Sequence, residues 1–448
     1  MTTVENFLSA VSSFLWGWPL LVLLGGAHVF FTLRLGFRVQ LHTWTAIKLS
    51  VRRDPGEGDV SQFGALTTAL ASTIGAGNIV GVATAIAAGG PGAVFWLWLT
   101  GVFGMATKYA EGVLAIRYRV RRDTGEFAGG PMYVLERALG WRWLAVAFAV
   151  FTIFAGFGMA NMVQSNALVT MTQAGLPDVA PGTIALIGGV VLALGTAAIM
   201  LGGIQSISRW SNAIVPAMSL LYILTAIAVL ALHAERLPDT LATIFRGAFS
   251  GQAAVGGFAG ATVAAALRFG IARGLFSNES GLGSAPIAAA AAKTSDPVRQ
   301  GLVSATGTFW DTVVVCALTG LVVVNSGAWE SGLKGAELAR ASFAGLGPWA
   351  QWGLNLSLAL FVFTSIYGWA YYVEKAVEYL WGSRAILPFR WIWIAVVFVG
   401  ANLSAKAVWD FADIANGLMA VPNLIALFAL HRVIAGETKR YFASPPER

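Results

Sequence analysis

Apolar residues fall into about eleven runs long enough to cross a bilayer as helices: 14–35, 63–87, 92–116, 143–172, 183–203, 213–232, 257–292, 302–323, 348–381, 390–405 and 411–431. The polar stretches between them reach about thirty residues at most, too few to fold around a core of their own. The pattern therefore predicts an all-α polytopic membrane protein built as a single transmembrane domain over 1–448. Two runs differ from the others. Those at 63–87 and 257–292 carry glycines and polar residues where their neighbours are continuously apolar.

Composition supports a lipid solvent. The chain is 57% hydrophobic and 11% charged, against about 25% charged in soluble domains. Fifty-two glycines suit close approach of membrane helices. The single cysteine, Cys316, excludes an intrachain disulfide or a cysteine metal site. His28, His42, His233 and His431 show no metal-ligand spacing.

The net charge of +7 raises nucleic acid as a partner, but the basic residues cluster between apolar runs, as membrane topology requires. With the N-terminus outside and alternating spans, 21 of the 29 Lys and Arg fall in inner loops and 5 in outer loops. Arg268, Arg273 and Lys375 fall within spans. This bias predicts an odd number of spans, an external N-terminus and a cytoplasmic C-terminus. No Lys or Arg precedes Arg34, so the run 14–35 lacks the basic start of a secretory signal and reads as a retained helix. Residues 437–448 read as a charged cytoplasmic tail that frays.

The second run contains Gly75, Ala76, Gly77, Asn78 and Gly81 at mid-membrane depth. Each glycine weakens a continuous helix by about 0.5–1 kcal/mol relative to alanine. A break there would free amides suited to a carboxylate and carbonyls suited to a cation. A glycine face for helix packing is the alternative. Between Leu267 and Pro286 the seventh run carries Arg268, Arg273, Glu279, four glycines and Pro286. Such charges must face protein or water. Two helices with a short re-entrant link, in which Arg273 and Glu279 pair, would also satisfy them. Two interrupted runs five spans apart point to an inverted repeat with a site between its halves. The repeats are then 63–232 and 257–431, with 14–35 as an extra N-terminal helix.

Thr364 and Ser365 are adjacent hydroxyls on an apolar run, able to ligate sodium or to bond back to their own helix. Trp369 could wall a pocket or simply pack. Asn161 and Gln164, three apart on one helix face, either join helices or bind a polar substrate. No Gly-Lys-Ser/Thr phosphate loop, HExxH or GxSxG motif occurs, which removes the common signatures of ATPases, membrane proteases and hydrolases.

Three stretches carry a family resemblance. They are Ala69 to Ile86 (ALASTIGAGNIVGVATAI) with Gly89 to Trp96 (GGPGAVFW), Gly125 to Tyr133 (GEFAGGPMY), and Gly270 to Pro286 (GIARGLFSNESGLGSAP). Together they resemble the alanine or glycine:cation symporter family, over about residues 10 to 435. The resemblance implies a LeuT-like five-plus-five inverted repeat with one extra N-terminal helix. It also implies uptake of a small neutral amino acid with sodium by alternating access, in a bacterial or archaeal cytoplasmic membrane. By that likeness the amides near Ala76 and Gly77 hold the substrate carboxylate, and Thr73, Asn78, Gln164, Phe276, Ser277 and Trp369 complete the substrate set. Carbonyls of Ala71 and Ile74, with the hydroxyls of Thr364 and Ser365, form the sodium site. Ser72 stands where the family is expected to carry Gly or Ala. No organic cofactor, nucleic-acid partner or enzymatic activity is expected. A proton-coupled symporter of the same fold, or an ion channel, are the alternatives.

Overall fold

A computed structural model of the chain describes residues 3–52, 54–175, 178–249, 263–403 and 406–443. Among these residues, eight helices are long and apolar enough to span a membrane: Asn6–Arg34, Arg142–Gln173, Pro181–Met200, Gly203–Leu232, Pro297–Asn325, Pro348–Trp381, Ser383–Asn402 and Asp410–Ala429. A ninth is the bent pair Gln62–Thr73 and Gly77–Gly89, whose halves meet at 56°. Two of the expected eleven runs thus fall outside the set. Ala93–Arg117 has the length, 25 residues, but is less apolar and buries Lys108 and Glu111. The seventh run is broken into Val263–Asn278 and Ala285–Ala289, and its expected start at 257–262 lies outside the described residues.

The first break has a local cause. Ser61 caps Gln62–Thr73 by accepting the Gly64 amide at 3.0 Å. The helix ends where Ile74 turns extended, at φ −76° and ψ 100°. Asn78 then folds back, and its Oδ1 accepts the Gly75 amide at 2.9 Å. The second break uses left-handed backbone at Glu279 (φ 54°), Gly281 (φ 90°) and Gly283 (φ 87°). A Cβ at Gly283 would lie 2.7 Å from Pro131 Cγ and 2.8 Å from Phe148 Cε2, so both conformation and space require glycine there. Glu111 Oε1 accepts the amides of Gly281 and Gly283 at 3.1 and 3.0 Å, and Asn423 Nδ2 donates to the same oxygen at 2.7 Å. A helix carrying a glutamate in its buried stretch thereby satisfies the backbone of the other broken one.

Three wide π turns, Gly77–Gly81, Gly156–Met162 and Phe309–Cys316, interrupt the helices. Such insertions re-aim side chains and cluster at functional sites.

One end of the bundle is tied shut. Arg119 donates to four carbonyls, those of Ala290 (3.1 Å), Ala292 (2.8 Å), Glu57 (2.9 Å) and Thr294 (2.7 Å). Val60 and Ala292 form a parallel bridge beside it. Arg299 reaches Gln62 at 3.1 Å and Asp54 at 3.4 Å. Lys375 pairs with Glu126 and Glu378 at 2.7 and 2.9 Å.

Three expectations are corrected. The N-terminal helix begins well before residue 14, since Asn6–Arg34 is one apolar unit. Lys108, assigned to a basic loop, is buried in Ala93–Arg117, because the apolar run continues to Arg117 around it. Residues 437–443 are helical, within His431–Ala443. There Glu437 is buried and pairs with Arg117 at 3.0 Å, which ties down the first part of the expected tail.

Arg119→Lys keeps the charge but loses the planar fork that reaches four acceptors. The expected result is a thermal midpoint lower by several degrees, with faster amide exchange in residues 54–60 and 288–294 and none elsewhere. Hydrogen exchange on the detergent-solubilised variant checks this.

Candidate functional site

The two breaks face each other across an enclosed cavity of about 20 Å³. On the scale where one water needs about 10–15 Å³, this is room for one small group. Ser72, Thr73 and Gly75 line it from the first broken helix, and Phe276, Ser277 and Glu279 from the second. Met159, Ala160 and Gln164 close one side and Trp369 another. Thr73, Gly77, Gln164, Phe276, Ser277 and Trp369 are thus brought together around one space.

A second, open cavity of about 640 Å³ lies above it, reached from the end of the bundle that carries Ser12 and Ser13. Gly77, Gln164 and Phe276 line both spaces, so these residues form the partition. Ala76 lines the open side, and its amide points to Gln164 Oε1 at 3.5 Å, a weak hydrogen bond. The Phe276 ring is held by the edge of Trp16 at 5.8 Å and by the Arg273 guanidinium at 5.1 Å. Arg273 runs along Gly81, where a Cβ would meet its Cδ at 2.8 Å. Arg273 does not pair with Glu279; it lies in the open cavity with Asp413.

Asn78 sits behind the cavity wall rather than on it. Its Nδ2 donates to Asp311 Oδ1 at 2.6 Å. Asp311 also accepts from Ser277 Oγ at 2.9 Å and Thr312 Oγ1 at 2.7 Å. One buried carboxylate on the π turn Phe309–Cys316 therefore grips a residue from each broken helix. Asn161 acts as a helix tie, donating to Trp393 O at 3.0 Å, while Gln164 faces the cavity. Asn161 thus takes the helix-joining role, and Gln164 is left on the cavity wall.

The expected ion ligands are split. Ser365 Oγ lies 3.3 Å from Ile74 O and 2.9 Å from Phe361 O. A Cβ at Gly75 would lie 2.7 Å from Ser365 Oγ, and one at Gly368 would lie 3.1 Å from the Ala71 carbonyl carbon. The long helix Pro348–Trp381 therefore packs directly on the chain at Ala71 and Ile74. Thr364 Oγ1 instead bonds back to Phe361 O at 3.0 Å and touches Met218 Sδ at 3.5 Å.

Asp311, Glu111 and Asn423 were not singled out from the sequence. Asp311 is the one charged residue of its run and Glu111 shares its run only with Lys108, and an intramembrane acid is a signal in itself.

The fold is LeuT-like. The chain aligns with the crystal structure of MhsT in complex with L-phenylalanine at a TM-score of 0.59, covering 86% of this chain and 93% of that one at 15% identity. The sequence is more specific: a profile of the sodium:alanine symporter family matches residues 1–447, and the chain belongs to that family. It is 49% identical over 448 residues to the sodium/alanine symporter AgcS of Methanococcus maripaludis, covering 97% of each. It is 50% identical over 447 residues to an uncharacterized transporter of Haemophilus influenzae, covering 98% of this chain and 96% of that one. Membership gives the class, a multi-pass sodium-coupled amino-acid symporter rather than an enzyme.

Asn78→Ala removes the acceptor of the Gly75 amide and a donor to Asp311. Unsatisfied buried groups of this kind cost about 1–3 kcal/mol each. A lower thermal midpoint in detergent, with no such loss in Asn402→Ala at an exposed helix end, is the expected comparison.

Proposed function

We propose that the chain imports a small neutral amino acid, alanine or glycine, together with sodium, by alternating access across a bacterial or archaeal cytoplasmic membrane. The observation that carries this reading is that the two helix breaks face each other across one small cavity, which a substrate enters only by parting its lining. A larger side chain would have to displace Met159, Phe276 or Trp369. The name of the Methanococcus relative, a sodium/alanine symporter, agrees with that size limit.

In this reading the residues 63–232 and 257–431 are inverted repeats, with the N-terminal helix outside the pair. The substrate carboxylate meets the amides at Ala76 and Gly77, where the helix Gly77–Gly89 starts and presents its positive end. Gln164 withdraws its weak hold on the Ala76 amide as the carboxylate arrives. Thr73, Ser277, Phe276 and Trp369 enclose the rest, and Asn78 fixes the shape of the break through Asp311. Sodium takes the carbonyls of Ala71 and Ile74 and the hydroxyls of Ser365 and Thr364, the latter after a rotation away from Met218. Ion and substrate both stabilise one arrangement of the 74–77 segment, so each raises the affinity of the other.

The open cavity beside Ser12 is the external entry, and the Arg119 cluster closes the cytoplasmic end. Transport then exchanges these two conditions, with the lipid bilayer as the surrounding solvent.

Uptake of labelled alanine into proteoliposomes tests the reading. Accumulation under an inward sodium gradient, competed by glycine and not by leucine, is the expected result. Accumulation driven by a proton gradient alone would replace sodium as the coupled ion. Non-saturating flux without accumulation would indicate a channel.

Three variants refine it. Ser365→Ala and Thr364→Ala are each expected to raise the half-saturating sodium concentration about tenfold, about 1.4 kcal/mol, and to weaken alanine binding in parallel. If alanine affinity alone fell, that hydroxyl would leave the ion site. Met159→Ala removes a cavity wall, and the expected outcome is uptake of valine or leucine that the parent excludes.

A further inference from the structure

Glu279 is the only ionisable side chain among the residues lining the enclosed cavity. It is 2% exposed. It sits just beyond the end of Val263–Asn278 in left-handed backbone, at φ 54°, a conformation costly for any residue but glycine or asparagine. The side chain, not the backbone, accounts for a glutamate at such a position.

Its carboxylate has two neutral partners. Trp369 Nε1 donates to Oε1 at 3.0 Å, and Ser284 Oγ donates to Oε2. Among the described residues no Lys, Arg or His lies within 4.0 Å of it. An ionised carboxylate has about four acceptor sites, so capacity remains on the cavity side. Asp311 is the contrasting case: three donors occupy it, and Ser277 stands between it and the cavity. Lys108 acts on it only from beyond 4.0 Å and acts on Glu111 and Asp311 as well; a carboxylate held this deep in a membrane protein without a paired cation costs several kcal/mol. A ligand that brings a positive charge into the cavity recovers that cost.

We infer that Glu279 is the counter-ion for the ammonium group of the transported amino acid, with Trp369 orienting the carboxylate. The inference rests on the amino-acid reading above. A zwitterion then meets complementary charge at both ends: amides of the first break at its carboxylate, Glu279 of the second break at its ammonium. Each end of the substrate is read by a different broken helix. Recognition of the charge, rather than of hydrogen-bonding capacity, selects amino acids over 2-hydroxy acids of the same size.

The test is equilibrium binding to the purified full-length protein in detergent with saturating sodium. It uses labelled alanine and lactate, in the parent, Glu279→Gln and Trp369→Phe. The parent is expected to bind alanine and to discriminate strongly against lactate. In Glu279→Gln, alanine binding is expected to weaken at least about 30-fold, with lactate unchanged, so that the discrimination collapses. Trp369→Phe keeps the carboxylate and loses its indole donor; alanine is expected to weaken about fivefold with discrimination retained. Binding of labelled sodium without amino acid is expected to be unchanged in Glu279→Gln, which also reports that the variant is folded. Loss of that sodium binding in a monodisperse variant would assign the carboxylate to the ion and overturn the inference. Equal losses for alanine and lactate would make Glu279 structural and overturn it as well. A parent that binds no amino acid would overturn the transport reading itself.

Discussion

Every backbone amide and carbonyl inside a bilayer must find a partner within the protein, and two of the chain's helices are broken at that depth. The rest of the structure is arranged around this constraint. At the second break the amides of Gly281 and Gly283 are taken by Glu111, itself held by Asn423. At the first, Gly75 is taken by Asn78, which is fixed by Asp311. Each carboxylate would be a liability on a lipid-facing helix, yet here its lone pairs answer donors that the breaks and their neighbours expose. The amide left with only a weak partner is that of Ala76, at the cavity partition.

The charged groups divide by depth. Toward the closed end they form direct pairs and multiple hydrogen bonds, as for Arg119, Arg299 and Lys375. Deeper in the bundle the partners are neutral: Glu111, Asp311 and Glu279 accept only from amides, hydroxyls and an indole, while Lys108 Nζ and Glu111 Oε2 are buried without a hydrogen-bond partner. Pairs at the closed end hold one arrangement rigidly. Under-satisfied groups near the cavity make that region responsive, because a ligand or a helix movement changes their energy by several kcal/mol.

How much of this was legible in the sequence depended on the range of the interaction. The breaks were visible because glycine and polar residues at mid-span violate local helix and lipid rules, as at Gly75-Ala76-Gly77-Asn78. The apolar runs located the helices, but not the early start at Asn6, where Thr3–Leu15 mixes polar and apolar positions. Long-range partners were less visible. Asn78 read as a substrate ligand because nothing local shows that Asp311, 233 positions away, turns it behind the wall. Thr364 and Ser365 are equivalent as neighbours in sequence, yet a 100° step around the helix sends one toward Met218 and the other toward Ile74. Lys108 was assigned to a basic loop because charge was weighed there as a topological marker, and burial of a lysine is a tertiary fact.

The arrangement explains why ion and substrate would act together without touching. Ser365 reaches the carbonyl of Ile74, the residue at which the first helix ends, and the next two residues present the amides of the partition. On the proposed reading, a cation drawn to that carbonyl would fix the φ and ψ of Ile74. The orientation of the Ala76 and Gly77 amides follows, because only Gly75 intervenes and Asn78 already restrains its amide. On the proposed reading the linkage would need no long pathway through the protein. It would be a property of about four consecutive residues whose conformation is undetermined by helix geometry, held in place by the remainder of the fold.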